Sequence, residues 1–214
     1  MNQVKKFIRK NPLAFAGILI WIVFIIFALF APVIATCDPL AQDLTSRNMG
    51  PNAAHFFGTD SLGRDVFSRV VYGARISVPS GILVVIIACL FGTVYGAAAG
   101  FFGKAADEVL MRFADMVMSF PYILLVLVAA AIFKPGMWSI ILILGFVDWP
   151  GVTRLVRGNV LSLRETNFCK SDITAGMPGW YILFSEILPN TMAPVLVYAT
   201  SVFAISMLDE AALS

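Results

Sequence analysis

The chain has 214 residues, of which 59% are hydrophobic and only 13% charged, with a mean hydropathy of +0.87. A soluble domain carries about 25% charged residues, so a water-facing surface cannot be covered here and much of the chain must face lipid. The net charge is only +2, and no basic patch interleaved with aromatics occurs, which speaks against a nucleic-acid partner.

Lys5, Lys6, Arg9 and Lys10 precede a first apolar run, Leu13–Ala35. The run exceeds the roughly 7–15 apolar residues of a cleaved signal peptide, so an uncleaved span is predicted. A hydrocarbon core of about 30 Å needs roughly 20 helical residues. Further runs that reach or approach this length are Ile76–Phe102, Met116–Phe133, Trp138–Val156 and Ile187–Leu208. Backbone groups in lipid must be satisfied within the segment, so each is read as a helix. The predicted fold is an all-α integral membrane bundle with five spans. The basic N-terminus is expected in the cytoplasm. Alternation then places 36–75 outside, 103–115 inside, the turn Lys134–Met137 outside and 157–186 inside. Arg157, Arg164 and Lys170 cluster in that last stretch, with Arg154 just ahead of it. Two parts are predicted: 1–75, holding the N-terminus, first span and external segment, and 76–214, the membrane domain.

The second run is rich in small residues, and Gly92, Gly96 and Gly100 form two overlapping GxxxG patterns, which favour close helix association within a bundle or a dimer. Between Gly103 and Ser119, Lys104, Glu108, Arg112 and Asp115 fall on one helical face and Val109, Leu110, Phe113, Met116 and Val117 on the other. This predicts an amphipathic turn, either the solvated end of the third span or a piece lying at the surface. Cys37, Cys89 and Cys169 form no CxxC pair, zinc pattern or disulfide framework and are read as space-filling. His55, the one histidine, is read as a surface residue. No phosphate-cradling GxxxxGK[ST] and no HExxH occurs, so neither a metal nor a cofactor is expected. Ionisable groups inside the spans are few: Asp148, beside Trp149-Pro150-Gly151, and Asp209-Glu210 near the end. The Pro150-Gly151 pair predicts a break in the fourth helix. Asp148 there, with Glu210, is a candidate for a translocation path in which a carboxylate attracts a cationic group such as a peptide amine. The alternative is a carboxylate hydrogen-bonded within the bundle.

Two local patterns carry a resemblance. The first runs from Phe57 to Ser77 and includes Gly58, Asp60, Gly63, Arg64, Asp65, Arg69, Gly73 and Arg75. It resembles the outside segment before the second span in C-type permeases of the dipeptide, oligopeptide and nickel ABC importers. Arg64, Asp65 and Arg69 are expected to pair at the membrane interface, as a scaffold or as part of the path. The second is the spacing from Gly176 to Leu188-Pro189-Asn190, which is similar to the family's inside loop. The family has Glu-Ala-Ala where this chain has Lys170-Ser171-Asp172.

The resemblance implies an ABC type I importer transmembrane domain for short peptides, or for nickel or another small solute. Its implied partners are a second permease subunit, two cytoplasmic ATP-binding subunits, an extracytoplasmic solute-binding protein and membrane lipid. ATP would be bound by the partners, and this chain would perform no bond chemistry. The implied coupling element is a short helix carrying Lys170, Ser171 and Asp172, stopped by Gly176 and joined to the last span through Leu188 and Pro189. The Lys170-Ser171-Asp172 departure is expected to weaken or re-specify ATPase docking. The family continues to a sixth span, so the reading is of a chain truncated before it. The rival expectations are a non-transporting scaffold or decayed permease, and an ATP-independent carrier or channel.

Overall fold

The computed structural model describes residues 11–134 and 136–213; Lys5, Lys6, Arg9 and Lys10, which set the predicted orientation, lie outside the described residues. Among the described residues the ordered structure is helical, with one isolated bridge between Thr59 and Asp65. Four helices are long and apolar enough to cross a membrane, or five if one bent pair forms a single span. The chain divides into two compact units, Met1–Pro79 and Ser80–Ser214.

In the first unit, helix α1 spans Pro12–Ile34, about 35 Å at 1.5 Å per residue. Pro12 occupies the first turn, where a missing N–H costs nothing. Pro32 removes a donor near the far end, and Phe30 leaves the helical region (φ −105°, ψ 15°). None of its most apolar window is buried, as a lipid-facing helix requires.

Helix α2 spans Val66–Phe101 and runs from the first unit into the second. It starts ten residues before the predicted Ile76, because Asp65 caps it. The Asp65 Oδ2 accepts from the Ser68 backbone N–H at 2.8 Å and from the Thr36 hydroxyl at 3.2 Å, satisfying an orphan donor of the first turn. Its Oδ1 faces His55 Nδ1 at 3.0 Å. His55 is therefore a half-buried partner of a buried carboxylate, not a free surface residue.

The pairing predicted for Arg64, Asp65 and Arg69 is also corrected. Asp60 is the hub. Its Oδ1 accepts from the Leu62 and Arg64 N–H groups at 2.8 and 3.0 Å. Its Oδ2 takes Arg64 Nε at 2.8 Å and Arg69 Nη1 at 2.5 Å. Gly58 (φ +73°) and Gly63 (φ +74°) make the turns possible, and a Cβ on either would strike a backbone carbonyl, that of Met49 or of Asp43. Phe67 anchors the start of α2 by edge-on contacts to Phe56 and Phe57, with centroids 5.4 and 5.3 Å away.

In the second unit, α3 (Lys104–Ser119) and α4 (Tyr122–Ile132) replace the continuous third span predicted over Met116–Phe133 and meet at 86°. Pro121 explains the break. It disfavours the α region for the residue before it, and Phe120 is extended (ψ 139°). The amphipathic reading of 103–119 holds: α3 is a separate helix with Val109, Phe113 and Met116 exposed along its apolar face. Helix α5 spans Met137–Arg164, α6 spans Asn167–Thr174, and α7 runs over Gly179–Leu213 with a π-helical turn at Ile182–Ile187. The predicted break at Trp149-Pro150-Gly151 is absent, since α5 continues through Pro150. The last helix also begins before the predicted Ile187. Its wider π turn loosens the backbone ahead of Pro189, whose ring in a regular α-helix would meet the carbonyl of Ser185.

The GxxxG glycines of α2 form a seam against α5 within this unit. A Cβ on Gly92 would lie 2.6 Å from Val152 Cβ, one on Gly96 2.5 Å from the Thr153 carbonyl, and one on Gly100 2.9 Å from Val160 Cβ. The Thr153 hydroxyl donates to the Gly92 carbonyl at 3.2 Å. Trp149 closes this seam beneath Tyr95, Phe91 and Phe113, at centroid distances of 4.7, 5.2 and 6.1 Å. Helix α3 is tied to α5 by Arg154 to Asp115 at 2.5 Å and by Arg157 gripping both oxygens of Asp107.

The seam makes a specific demand. Gly96→Ala is expected to destabilise the folded chain by about 1–3 kcal/mol through overpacking. Gly158→Ala, in open space on α5, is expected to be neutral or slightly stabilising; thermal unfolding of both variants in detergent checks the contrast. The 36–69 segment has an acid limit. Burial raises the pKa of Asp60, but the Arg64 and Leu62 N–H groups and the Arg64 guanidinium outweigh it, and the carboxyl lies well below its usual range. Burial likewise opposes, and the Ser68 hydroxyl and N–H, His55 and Thr36 outweigh, in holding Asp65 low. Depressed folded values mean the stabilisation is complete above the unfolded carboxyl pKa of about 3.9 and is lost as pH falls through the folded values. Hydrogen exchange should show the Leu62, Arg64 and Ser68 amides protected at neutral pH and progressively opened below about pH 4.

Candidate functional site

Helix α6 projects from the junction of α5 and α7. It ends in a Schellman cap: Gly176 (φ +78°) donates to the Ile173 carbonyl at 3.1 Å and Met177 to the Asp172 carbonyl at 3.0 Å. The sequence expectation that Gly176 stops the helix is met. Lys170 and Ser171 are exposed and Asp172 half-buried. Leu188 packs on the core and Pro189 lies exposed at the start of the straight part of α7. Around α6 stand several exposed apolar side chains, among them Phe168, Ile173, Met177 and Trp180, the last 64% exposed.

The root of this projection is rigid. Cys169 is wholly buried in a cluster with Val152, Val156 and Val160 of α5 and Ile182, Leu183 and Ile187 of the π turn. Arg164, the last residue of α5, donates from Nη1 to the Gly100 and Phe101 carbonyls at 3.0 and 3.1 Å and stacks over the Phe101 ring at 5.5 Å. The cation thereby satisfies carbonyls orphaned at the C-terminus of α2 and meets the negative end of its dipole. Sequence reasoning took Arg164 only as one of a basic cluster. The signal available was an Arg at the very end of a long apolar helix, but its target more than sixty residues away was not legible.

The second candidate is a cavity of about 190 Å³ lined by Tyr122, Leu125, Asp148, Gly151 and Tyr198 among others. Asp148 Oδ2 is buried and has no hydrogen-bond partner among the described residues. Tyr122, on the same wall, donates to Asp209 Oδ2 at 2.6 Å, so two acids flank one phenol. The Tyr198 hydroxyl occupies the space left by the missing side chain of Gly151, and the cavity lies beside a helix that is not unwound. Glu210, predicted alongside Asp148, does not line this cavity; it accepts from the Ser80 hydroxyl at 2.7 Å. Asp209 and Tyr122, rather than Glu210, are what the fold brings towards Asp148. Of the signature residues, Asp60 holds Arg64 and Arg69, Asp65 is taken by His55, Ser68 and Thr36, Gly58 and Gly63 form the turns, and Gly73 and Arg75 fall on α2.

Comparison with known proteins gives this arrangement its context. The family profile for the binding-protein-dependent transport system inner membrane component matches residues 92–214, the part that holds the seam, the cavity and α6. The profile for the N-terminal TM domain of oligopeptide transport permease C matches residues 3–51. The chain is 40% identical to the dipeptide transport system permease protein DppC of Alkalihalophilus pseudofirmus, over 99% of this chain and 70% of that protein. It is 35% identical to the oligopeptide transport system permease protein OppC of Bacillus subtilis, over 96% of this chain and 68% of that one. It is also 35% identical to the glutathione transport system permease protein GsiD of Pectobacterium atrosepticum, over 98% of this chain and 70% of the relative. The chain thus spans about two thirds of the length of the curated relatives it matches. A helical membrane unit with a capped helix rooted between its last two spans, together with these matches, places the chain in the binding-protein-dependent transport system inner membrane component family, among the C-type permeases of dipeptide and oligopeptide ABC importers.

Proposed function

We propose that this chain lines part of a translocation path for short peptides across the plasma membrane and receives the driving force through α6. In this reading the N-terminus and the 157–186 connection face the cytoplasm. A second permease subunit completes the path, two cytoplasmic ATP-binding subunits supply the energy, and an extracytoplasmic solute-binding protein delivers the solute. The observation that carries it is the construction of α6, an exposed helix with an apolar rim whose base is locked into the bundle core by Cys169 and Arg164. A load applied at Ser171 reaches α2, α5 and α7 together, because none of them can shift alone without opening the cluster around Val156 and Val160. Alternating access would then follow as a rigid-body tilt. Lys170-Ser171-Asp172 remains exposed enough to meet a partner groove, with a charge pattern unlike the family's Glu-Ala-Ala.

Asp148 is the proposed contact for the solute. A carboxylate oxygen buried without a partner is costly unless a ligand or a proton meets it, and a peptide's amino group is the matching cation. The relatives' names, which include dipeptide, oligopeptide and glutathione transport, support a peptide class.

Two outcomes check this. Ser171→Cys in a Cys37→Ser background should resist a membrane-impermeant maleimide added to intact cells, react after permeabilisation, and cross-link to the co-expressed ATP-binding subunit. Labelling from outside overturns the topology and the coupling with it, and labelling from inside without any cross-link leaves the scaffold reading in its place. Asp148→Asn should reduce uptake of free-amine peptides about 10-fold, the equivalent of one charge-assisted hydrogen bond, and leave ATP-subunit assembly intact. Unchanged uptake would remove Asp148 from the path.

A further inference from the structure

We propose that Cys37, His55 and Asp65 together form a binding site for a borderline-soft divalent cation of the Zn²⁺ kind. Donor atoms of the three side chains, one sulfur, one ring nitrogen and one carboxylate oxygen, lie within 4.8 Å of one another. This is the mixed donor set that Zn²⁺ accepts and that Mg²⁺ and Ca²⁺, which prefer oxygen alone, do not.

The three positions are eighteen and ten residues apart, and the fold holds each by a separate device. The two oxygens of Asp65 divide their work. Oδ2 is committed to capping α2 through the Ser68 N–H and to the Thr36 hydroxyl, while Oδ1 meets His55 Nδ1 at 3.0 Å. The carboxylate is 2% exposed, so its orientation is set by structure and not by solvent. His55 is held by its own backbone N–H, which donates to Asn52 Oδ1 at 2.9 Å. Cys37 is placed beside the start of α2 by its backbone N–H, which donates to the Ser68 hydroxyl at 3.1 Å. The hydroxyls and amides that fix these donors are the outer partners on which metal affinity depends.

In the bound state the cation takes the place of the proton shared by His55 Nδ1 and Asp65 Oδ1, and Cys37 closes on it as the thiolate. Tetrahedral zinc with bonds of about 2.0–2.3 Å separates its ligand atoms by roughly 3.5 Å. His55 Nδ1 and Asp65 Oδ1, 3.0 Å apart, open slightly to admit the ion, and rotation of the exposed Cys37 side chain brings its sulfur in from within 4.8 Å. One proton is released as the ion enters, that of the thiol, while the imidazole proton at Nδ1 is exchanged for one on Nε2. Three protein donors leave a fourth position facing outward with Cys37, open to water or to a donor on a solute. The site joins the exit of α1, the loop at His55 and the cap of α2, and so clamps the 36–69 segment.

The test uses the whole chain, purified in detergent and kept reduced, titrated with Co²⁺ and then Zn²⁺. The expected result is a thiolate-to-cobalt charge-transfer band in the near ultraviolet with visible bands of tetrahedral strength, displaced by an equimolar amount of Zn²⁺. Cys37→Ser should abolish the charge-transfer band and weaken binding at least about 10-fold, His55→Gln should weaken it similarly, and Cys89→Ser should change nothing. X-ray absorption at the zinc edge of the unmutated chain, which needs no folded variant, should show one sulfur among nitrogen and oxygen neighbours. No charge-transfer band, a band that survives Cys37→Ser, or a zinc shell without sulfur each overturns the site.

Discussion

The close approach of two helices along Gly92, Gly96 and Gly100 of α2 and Val152 to Val160 of α5 is the constraint from which the second unit is built. In lipid there is no hydrophobic drive to bring helices together, so association depends on packing contact and on polar groups that meet across the interface. The glycines provide the first and the Thr153 hydroxyl on the Gly92 carbonyl the second. Once α5 is seated there, Trp149 gathers the aromatic rings of α2 and α3, Arg157 and Arg154 reach the acids of α3, and the C-terminus of α2 comes within reach of Arg164. A bulkier residue in the seam would displace all of these together.

That geometry gives α6 its mechanical character. A short helix of eight residues has little stability of its own, and this one is maintained from both ends: by the buried Cys169 at its base and by the αL glycine at its tip. Its exposed side chains are thus free for another molecule while its position is dictated by the bundle. The π turn that follows, with Pro189 and Pro194 beyond it, is where α7 departs from a regular hydrogen-bond ladder.

The 36–69 segment works on different physics. It lacks an apolar core of its own size and is organised by carboxylates, each serving several donors: Asp43 for the Leu44–Ser46 turn, Asp60 for two arginines and two amides, Asp65 for the cap of α2. Asp43 is held at about 2 by the hydroxyls of Thr45 and Ser46 and the Thr45 amide. Positive-φ glycines let the backbone approach closely enough for these bonds to form. A loop built on anions stays folded wherever those anions stay charged, which covers neutral conditions.

The sequence by itself determined that the chain is helical and membrane-embedded, where the first, second, fourth and last spans lie, and which family it belongs to. These follow from quantities summed over many residues, apolar length above all, or from motifs contiguous along the chain such as Phe57–Ser77 and the Gly176-to-Leu188 spacing. Local stereochemistry was legible too, at Gly176. What only the tertiary structure decided depends on pairs far apart in sequence: Arg164 on α2, Tyr122 beside Asp148 and Asp209, Asp60 rather than Asp65 as the arginine partner, and His55 with Asp65 near Cys37. Proline was the residue read least well. Pro121 breaks a span that hydropathy ran together, and Pro150 leaves intact a helix that composition suggested was broken. Pro121 follows a residue free to become extended, whereas Pro150 is held in a continuous helix by the packing of Trp149 and Val152 around it. Hydropathy counts apolar side chains without regard to where they meet, and packing is decided by where they meet.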